Sequence, residues 1–177
     1  GKKRIARFHN IGAMGNAGEE IVKDMLERAG FHVTGQQLAV DDYDHKLGGH
    51  LDGVLEEGPA DLTYPCLWEC KFKGDRYWKA INKNGVEEAE PLYWVQMHGY
   101  MAYMNMTQAL FTAVNRDTGE LYCEVVDLNL ELVEKYQKRA VMAVDASSPD
   151  ELSRIANDEN NWQCKFCDYR ETCYEVQ

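Results

Sequence analysis

Gly49-His50-Leu51-Asp52-Gly53-Val54-Leu55 and Leu67-Trp68-Glu69-Cys70-Lys71-Phe72-Lys73 are the two stretches whose reading decides the fold. Both are apolar runs of strand length, and each carries charge where a buried strand usually has none. Side chains reverse direction at every residue of a strand, so Glu69 and Lys71 share one face and Cys70 takes the other. Asp52, seventeen residues before Glu69, brings a second carboxylate to that face if the two strands are neighbours. Charged groups inside an apolar strand need compensation or a function. Two carboxylates and an ammonium in one small volume can hold a hard divalent cation and set a water against a phosphodiester.

Helix and strand patterns alternate around these runs. Residues 16–29 predict a helix, with Ile21, Val22, Met25, Leu26 and Ala29 as its apolar stripe and Gly30 as its stop. Residues 31–40 predict a strand, residues 41–46 a turn, and residues 50–56 and 66–72 two strands joined by a Gly-Pro loop. Residues 74–83 read as a short helix or ordered loop. Pro91 opens a helix to Asn105. Residues 108–115 and 120–127 alternate as a hairpin around Asp117-Thr118-Gly119, and a helix covers 129–145. Ser148-Pro149-Asp150 caps a short helix. The order implies an α/β fold, a mixed central β-sheet flanked by helices, with a Cys-rich C-terminal tail. The expected division is a domain over 1–156 and a tail over 157–177 packed on it.

The chain has 177 residues and a formal charge of -11. That balance argues against a simple nucleic-acid coat protein, which would bind phosphate with Lys and Arg. It leaves room for an enzyme whose acidic ligands hold a metal. Basic residues gather at Lys2, Lys3, Arg4 and Arg7, and at Lys71, Lys73, Arg76, Lys79 and Lys83. No apolar run approaches the roughly 20 residues needed to cross a bilayer. No secretory signal is visible, so six cysteines imply a reducing, cytoplasmic setting.

With Asp52, Glu69 and Lys71 in place, the chain resembles the PD-(D/E)XK nuclease superfamily, and within it the RecB-like and Cas4-like exonuclease branch. The resemblance implies a restriction-endonuclease-like core. It makes Asp52 and Glu69 ligands of Mg2+ or Mn2+, the Cys70 carbonyl a further ligand, and Lys71 the group that orients or deprotonates water or offsets phosphorane charge. Leu51 stands where the family name has proline. Gly15-Asn16-Ala17-Gly18-Glu19 is similar to a first-helix motif that adds an acidic ligand. Helical spacing puts Glu19 at the edge of the buried stripe and Glu20 on a solvated face. Gln96-Met97-His98-Gly99-Tyr100 is similar to the branch's Gln-x3-Tyr helix, and its i, i+4 spacing puts both polar groups on one face. There Gln96 orients Lys71 or a phosphate, and Tyr100 bonds DNA or the site. His50, two before Asp52 on the expected strand, is a further metal or phosphate candidate. Lys73, Arg76, Tyr77 and Trp78 are candidate nucleic-acid contacts, and the rings of Tyr77, Trp78, Tyr93 and Trp94 are able to stack on bases, though such rings are more often core.

Near the C-terminus, Cys164-x2-Cys167-x5-Cys173 is a soft-ligand set. Its spacing is similar to the tail of the iron–sulfur site in Cas4-like and AddB-like nucleases, which implies a [4Fe–4S] cluster. Zinc is the alternative. No cysteine precedes Cys66, so the fourth ligand falls outside this sequence or to His9. Cys66, Cys70 and Cys123 are expected as small buried hydrophobes.

The expectation is a Mg2+- or Mn2+-dependent deoxyribonuclease, an exonuclease of DNA replication, recombination or repair. DNA is its partner, with a homo-oligomer or recombination and replication proteins as further ones, on nucleoid or viral DNA. The alternative is a silent nuclease-fold subunit that binds DNA or assembles a complex.

Overall fold

The computed structural model describes residues 6–42, 47–165 and 167–175. The chain divides into two compact units, Gly1–Glu134 and Lys135–Gln177.

The first unit is built on a five-stranded sheet in the order β1-β4-β5-β6-β7, with β1 His32–Thr34, β4 Gly53–Glu57, β5 Cys66–Lys73, β6 Gln108–Asn115 and β7 Leu121–Asp127. β5 and β6 are parallel, and the other pairs antiparallel, so the sheet is mixed. A separate two-stranded ribbon joins β2, Ala39–Asp42, to β3, Leu47–His50. The helices are α1 Ala6–Arg28, α2 Asp75–Ala89 and α3 Pro91–Tyr103.

Strand alternation sorts the core into two layers. Cys66, Trp68 and Cys70 of β5 pack with Val22 and Leu26 of α1, and with Leu110 and Val114 of β6. Leu67, Phe111 and Ala113 point the other way, against Trp78, Ile81 and Val86 of α2 and Met97 and Met101 of α3. Helices thus cover both faces. α1 approaches closely through Gly18, where an added Cβ would stand 2.6 Å from Cγ of Phe72. Gly53 does the same between strands, since a Cβ there would meet the Trp68 ring at 2.7 Å.

Several boundaries differ from the sequence expectation. α1 starts at Ala6, ten residues early, and its buried stripe is Gly18, Val22 and Leu26, whereas Ile21 and Ala29 are exposed. Residues 31–40 form two strands, because the chain turns at Gly35 (φ 62) and Gln37 (φ 55). Residues 50–56 are likewise broken: His50 ends β3, and Asp52 lies in a bend before β4. α2 is longer than expected and kinks at Gly85, whose φ of 79 only glycine adopts readily. The turn expected over 41–46 falls mostly outside the described residues, as do Lys2, Lys3 and Arg4.

α4, Leu130–Asp145, runs through the boundary between the units. Beyond it the second unit holds a 3-10 turn, Pro149–Glu151, and two short helices, α5 Trp162–Lys165 and α6 Arg170–Glu175. Glu151 Oε1 accepts from the backbone N–H of Ser147 and Ser148, both at 3.0 Å, which pins the turn. No described helix is long and apolar enough to cross a membrane.

Candidate active site

The β4–β5 ladder ends at Gly53 opposite Trp68. The next rung would set Asp52 against Glu69, and there the strands part. Past that point the Cys70 N–H has no β4 backbone to bond, and it donates to Asp52 Oδ2 at 2.8 Å instead. The aspartate carboxylate therefore closes the mouth of the two strands. Its bend before β4, not a position within a strand, lets it turn in.

Lys71 completes the group. Its Nζ lies 2.6 Å from Glu69 Oε1 and 3.1 Å from Asp52 Oδ2, and donates to the Cys70 carbonyl at 2.9 Å. Glu69 is 1% exposed and Asp52 8%, so these charges sit in a low-dielectric recess. Burial, with Asp52 adding to it, pushes the Glu69 carboxyl up to about 7, against the pull of Lys71. Burial also opposes the Lys71 charge, but Glu69 and Asp52 outweigh it and hold the ammonium above its ordinary range. Glu19, half-buried on α1, belongs to the same field. Burial and then the Asp52 carboxylate raise its pKa, and its Oε2 accepts from Gln37 Nε2 at 3.1 Å. Glu20 is exposed and accepts from Gln36 at 3.1 Å, as a solvated neighbour should.

One polar atom here lacks a partner. Glu69 Oε2 is buried with no hydrogen bond among the described residues. A buried carboxylate oxygen without a donor is costly, and a hard cation is what such an oxygen suits. Asp52, Glu69, Glu19 and the Cys70 carbonyl present oxygen donors of the type that Mg2+ or Mn2+ takes. Among the described residues no three His, Cys, Asp or Glu side chains already form a metal cage, and Lys71 sits between the two carboxylates of β5 and the β4 bend.

Other expected members lie elsewhere. His50 is exposed on the two-stranded ribbon, so it shares no strand with Asp52 and the argument that joined them fails. Gln96 Nε2 donates to the Tyr100 hydroxyl at 2.7 Å. Its partner is thus its own helix neighbour rather than Lys71, and Tyr100 is a buried member of the core layer, lying against Gly49. Trp78 is buried, and its Nε1 donates to the Ala113 carbonyl at 2.9 Å, so its ring is core and unavailable for stacking. Tyr77 is 61% exposed and Arg76 is exposed. Lys73 donates to Glu90 Oε1 at 2.7 Å.

The group sequence reasoning underweighted is Tyr93. Its ring lies beneath both lysines of β5, 4.9 Å from Lys71 Nζ and 4.6 Å from Lys73 Nζ. The signal was available: Lys71 and Lys73 are two apart and share a face, and Tyr93 is three before Gln96 on the helix packing there.

In the tail, Cys164 is buried with Sγ 3.5 Å from the Tyr174 hydroxyl, which donates to the Ala156 carbonyl at 2.6 Å. Cys167 is exposed and Cys173 half-buried. This sulfur has a polar partner already, unlike the lone oxygen of Glu69, and the described tail residues form no three-donor group for a cluster or zinc. Nothing among the described tail residues supports a [4Fe–4S] cluster. His9 is exposed on α1, in the other unit. Cys66 and Cys70 are buried, as expected, but Cys123 is exposed on the edge strand β7.

No protein-family model matches the chain, and no curated protein matches it either. Solved structures do. The alkaline exonuclease LHK-Exo from Laribacter hongkongensis gives a TM-score of 0.54 at 18% identity, over 73% of this chain and 64% of its own. The same exonuclease in complex with dAMP gives 0.51 at 18%, over 72% and 63%. SSO0001 gives 0.50 at 13%, over 90% of this chain and 68% of that one. The chain thus spans less than two thirds of LHK-Exo. At these identities the likeness is one of fold, and the fold of this chain is that of the PD-(D/E)XK nucleases.

Proposed function

We propose that the protein is a divalent-metal-dependent deoxyribonuclease acting at the Asp52–Glu69–Lys71 centre. The observation that carries this is the buried, partnerless Oε2 of Glu69 beside Asp52 and Lys71, in a nuclease fold. Asp52, Glu69, the Cys70 carbonyl and Glu19 would hold Mg2+ or Mn2+. A bound cation supplies a more acidic water and neutralises charge on the scissile phosphate. Lys71 offers an ammonium to the anionic phosphate oxygens, aimed by its contact with Tyr93. Asp52 keeps the strand mouth in shape through the Cys70 N–H. Exonucleolytic action in replication, recombination or repair is the biological reading, supported by the likeness to LHK-Exo.

Digestion of end-labelled linear and circular DNA with Mg2+, Mn2+ or EDTA tests this. Cleavage is expected with metal only, with linear DNA preferred, and lost in Asp52→Asn and Glu69→Gln. Metal-independent cleavage, or full activity in both variants, would overturn it. The silent-subunit alternative predicts DNA binding with no cleavage under any metal. Oligomer formation and protein partners have no supporting observation. For the tail, elemental analysis of anaerobically purified protein separates the readings: about four irons per chain would support the cluster and about one zinc the alternative.

A further inference from the structure

The turn between β1 and β2 holds a glutamine where backbone geometry favours glycine. Within Gly35-Gln36-Gln37-Leu38, Gly35 stands at φ 62 and Gln37 at φ 55. Glycine adopts such angles freely, whereas the Cβ of a glutamine crowds the following carbonyl there. Strain of this kind persists where the surroundings use the side chain. Burial is not that use, because Gln37 is exposed.

The hydrogen bonds of the turn run in two directions. Its main chain is stitched to the residue before Asp52: the Gln37 N–H donates to the Leu51 carbonyl at 2.9 Å, and the Leu51 N–H donates to the Leu38 carbonyl at 3.0 Å. Its side chains reach the other way, to adjacent carboxylates of α1. Gln36 Nε2 donates to Glu20 Oε1 and Gln37 Nε2 to Glu19 Oε2, each at 3.1 Å. Glu20 is exposed, whereas Glu19 is half-buried and feels the charges of Asp52 and Lys71. Asp52 is held by the Cys70 N–H and Glu69 by Lys71. Glu19 comes from a helix, and among the described residues its one hydrogen bond is from Gln37. That donor is neutral. An amide holds one oxygen of Glu19 and leaves its charge and second oxygen for a cation, where a lysine or arginine would compete for the same charge.

We propose that Gln37 is a positioning residue for cation binding: its amide, on a turn tied to Leu51, fixes the Glu19 carboxylate relative to Asp52. The inference rests on the nuclease reading of the Asp52–Glu69–Lys71 centre and adds a residue to it. Gln37→Gly removes the amide and suits the turn. Position 37 is exposed, so this variant should unfold in urea close to the parent, relief of the left-handed angle offsetting glycine's larger chain entropy. Free Mn2+, counted by electron paramagnetic resonance, should then show binding about tenfold weaker. Gln37→Asn also accepts the angle but is one methylene short, and should match it. Gln36→Ala releases Glu20 alone and should bind as the parent does. Glu19→Ala removes the acceptor, and adding Gln37→Gly to it should change nothing further. In DNA digestion, Gln37→Gly should need about tenfold more Mn2+ for half its maximal rate and keep the rate at saturating Mn2+. Unchanged Mn2+ affinity in folded Gln37→Gly, or an equal loss in the Glu19→Ala background, overturns the proposal and leaves the nuclease reading standing. The expected shifts in binding without any DNA cleavage sink the nuclease reading alone, and a parent that binds no Mn2+ sinks both.

Discussion

At Lys71 one ammonium answers two carboxylates and a carbonyl. Glu69 is too deep for water to take over that role. Lys71→Met should therefore destabilise the protein by about 3 kcal/mol, most of it the cost of leaving a buried carboxylate unpaired. Adding Glu69→Gln to Lys71→Met should recover part of the loss, so the double variant is more stable than the sum of the singles. Urea unfolding of the four proteins checks this, and strict additivity would mean the two groups do not depend on each other. Gly18 makes the opposite kind of demand. Gly18→Ala drives a methyl into the Phe72 ring and should cost roughly 1–3 kcal/mol, with Phe72→Leu relieving part of it.

α3 carries a buried titratable group. His98 Nδ1 accepts from the Asn129 N–H at 3.2 Å, its ring stands edge-on to Trp94 at 4.3 Å, and its Nε2 is buried without a partner among the described residues. Burial holds its pKa below 6.5. The unfolded chain then binds the proton first, so the contribution of neutral His98 is complete above about pH 6.5 and fades as pH falls toward the folded value. Glu69, with its raised pKa, gives the opposite slope in that window, which is why a comparison is needed. His98→Asn keeps an acceptor for Asn129 and removes the titration. Its stability should fall less than that of the parent from about pH 7 to about pH 5, measured by urea unfolding at each pH. Parallel pH curves would refute the assignment. At this scale the sequence was legible where periodicity runs long. β5, α3, the β6–β7 hairpin and α4 lie close to their expected spans, because their apolar pattern and bounding turns agree. It misled where tertiary fit decides. Residues 9–14 of α1 are exposed and left no stripe to read, and the break at Gly35–Gln37 depends on φ values that composition does not signal. Asp52, Glu69 and Lys71 could be read because charge inside an apolar strand stands out. Trp78 could not be told from a stacking ring until Ala113 was seen to accept its N–H.

Under the proposed nuclease reading, the charge of -11 bears on how the whole molecule would meet DNA. A basic binder loses affinity as counterions are added, by about 0.9 in log–log slope per phosphate contacted. Here the net charge is negative, and the proposed centre is itself carboxylate-rich. Affinity for a short DNA should therefore rise on adding Ca2+, a hard cation used here without turnover, and should fall in monovalent salt with a slope of only about 2–4. Fluorescence anisotropy reads both, and tight binding in EDTA would contradict the picture. The Asp52 carboxylate that shuts the β4–β5 mouth has a consequence for lineages descended from this chain. Under the proposed nuclease reading, copies that abandon hydrolysis will still be selected to keep an acceptor at position 52, since the strand opening needs one regardless. At position 69 only the Oε1 bridge to Lys71 makes such a demand, since Oε2 has no partner among the described residues, so a glutamine there is the change to expect first.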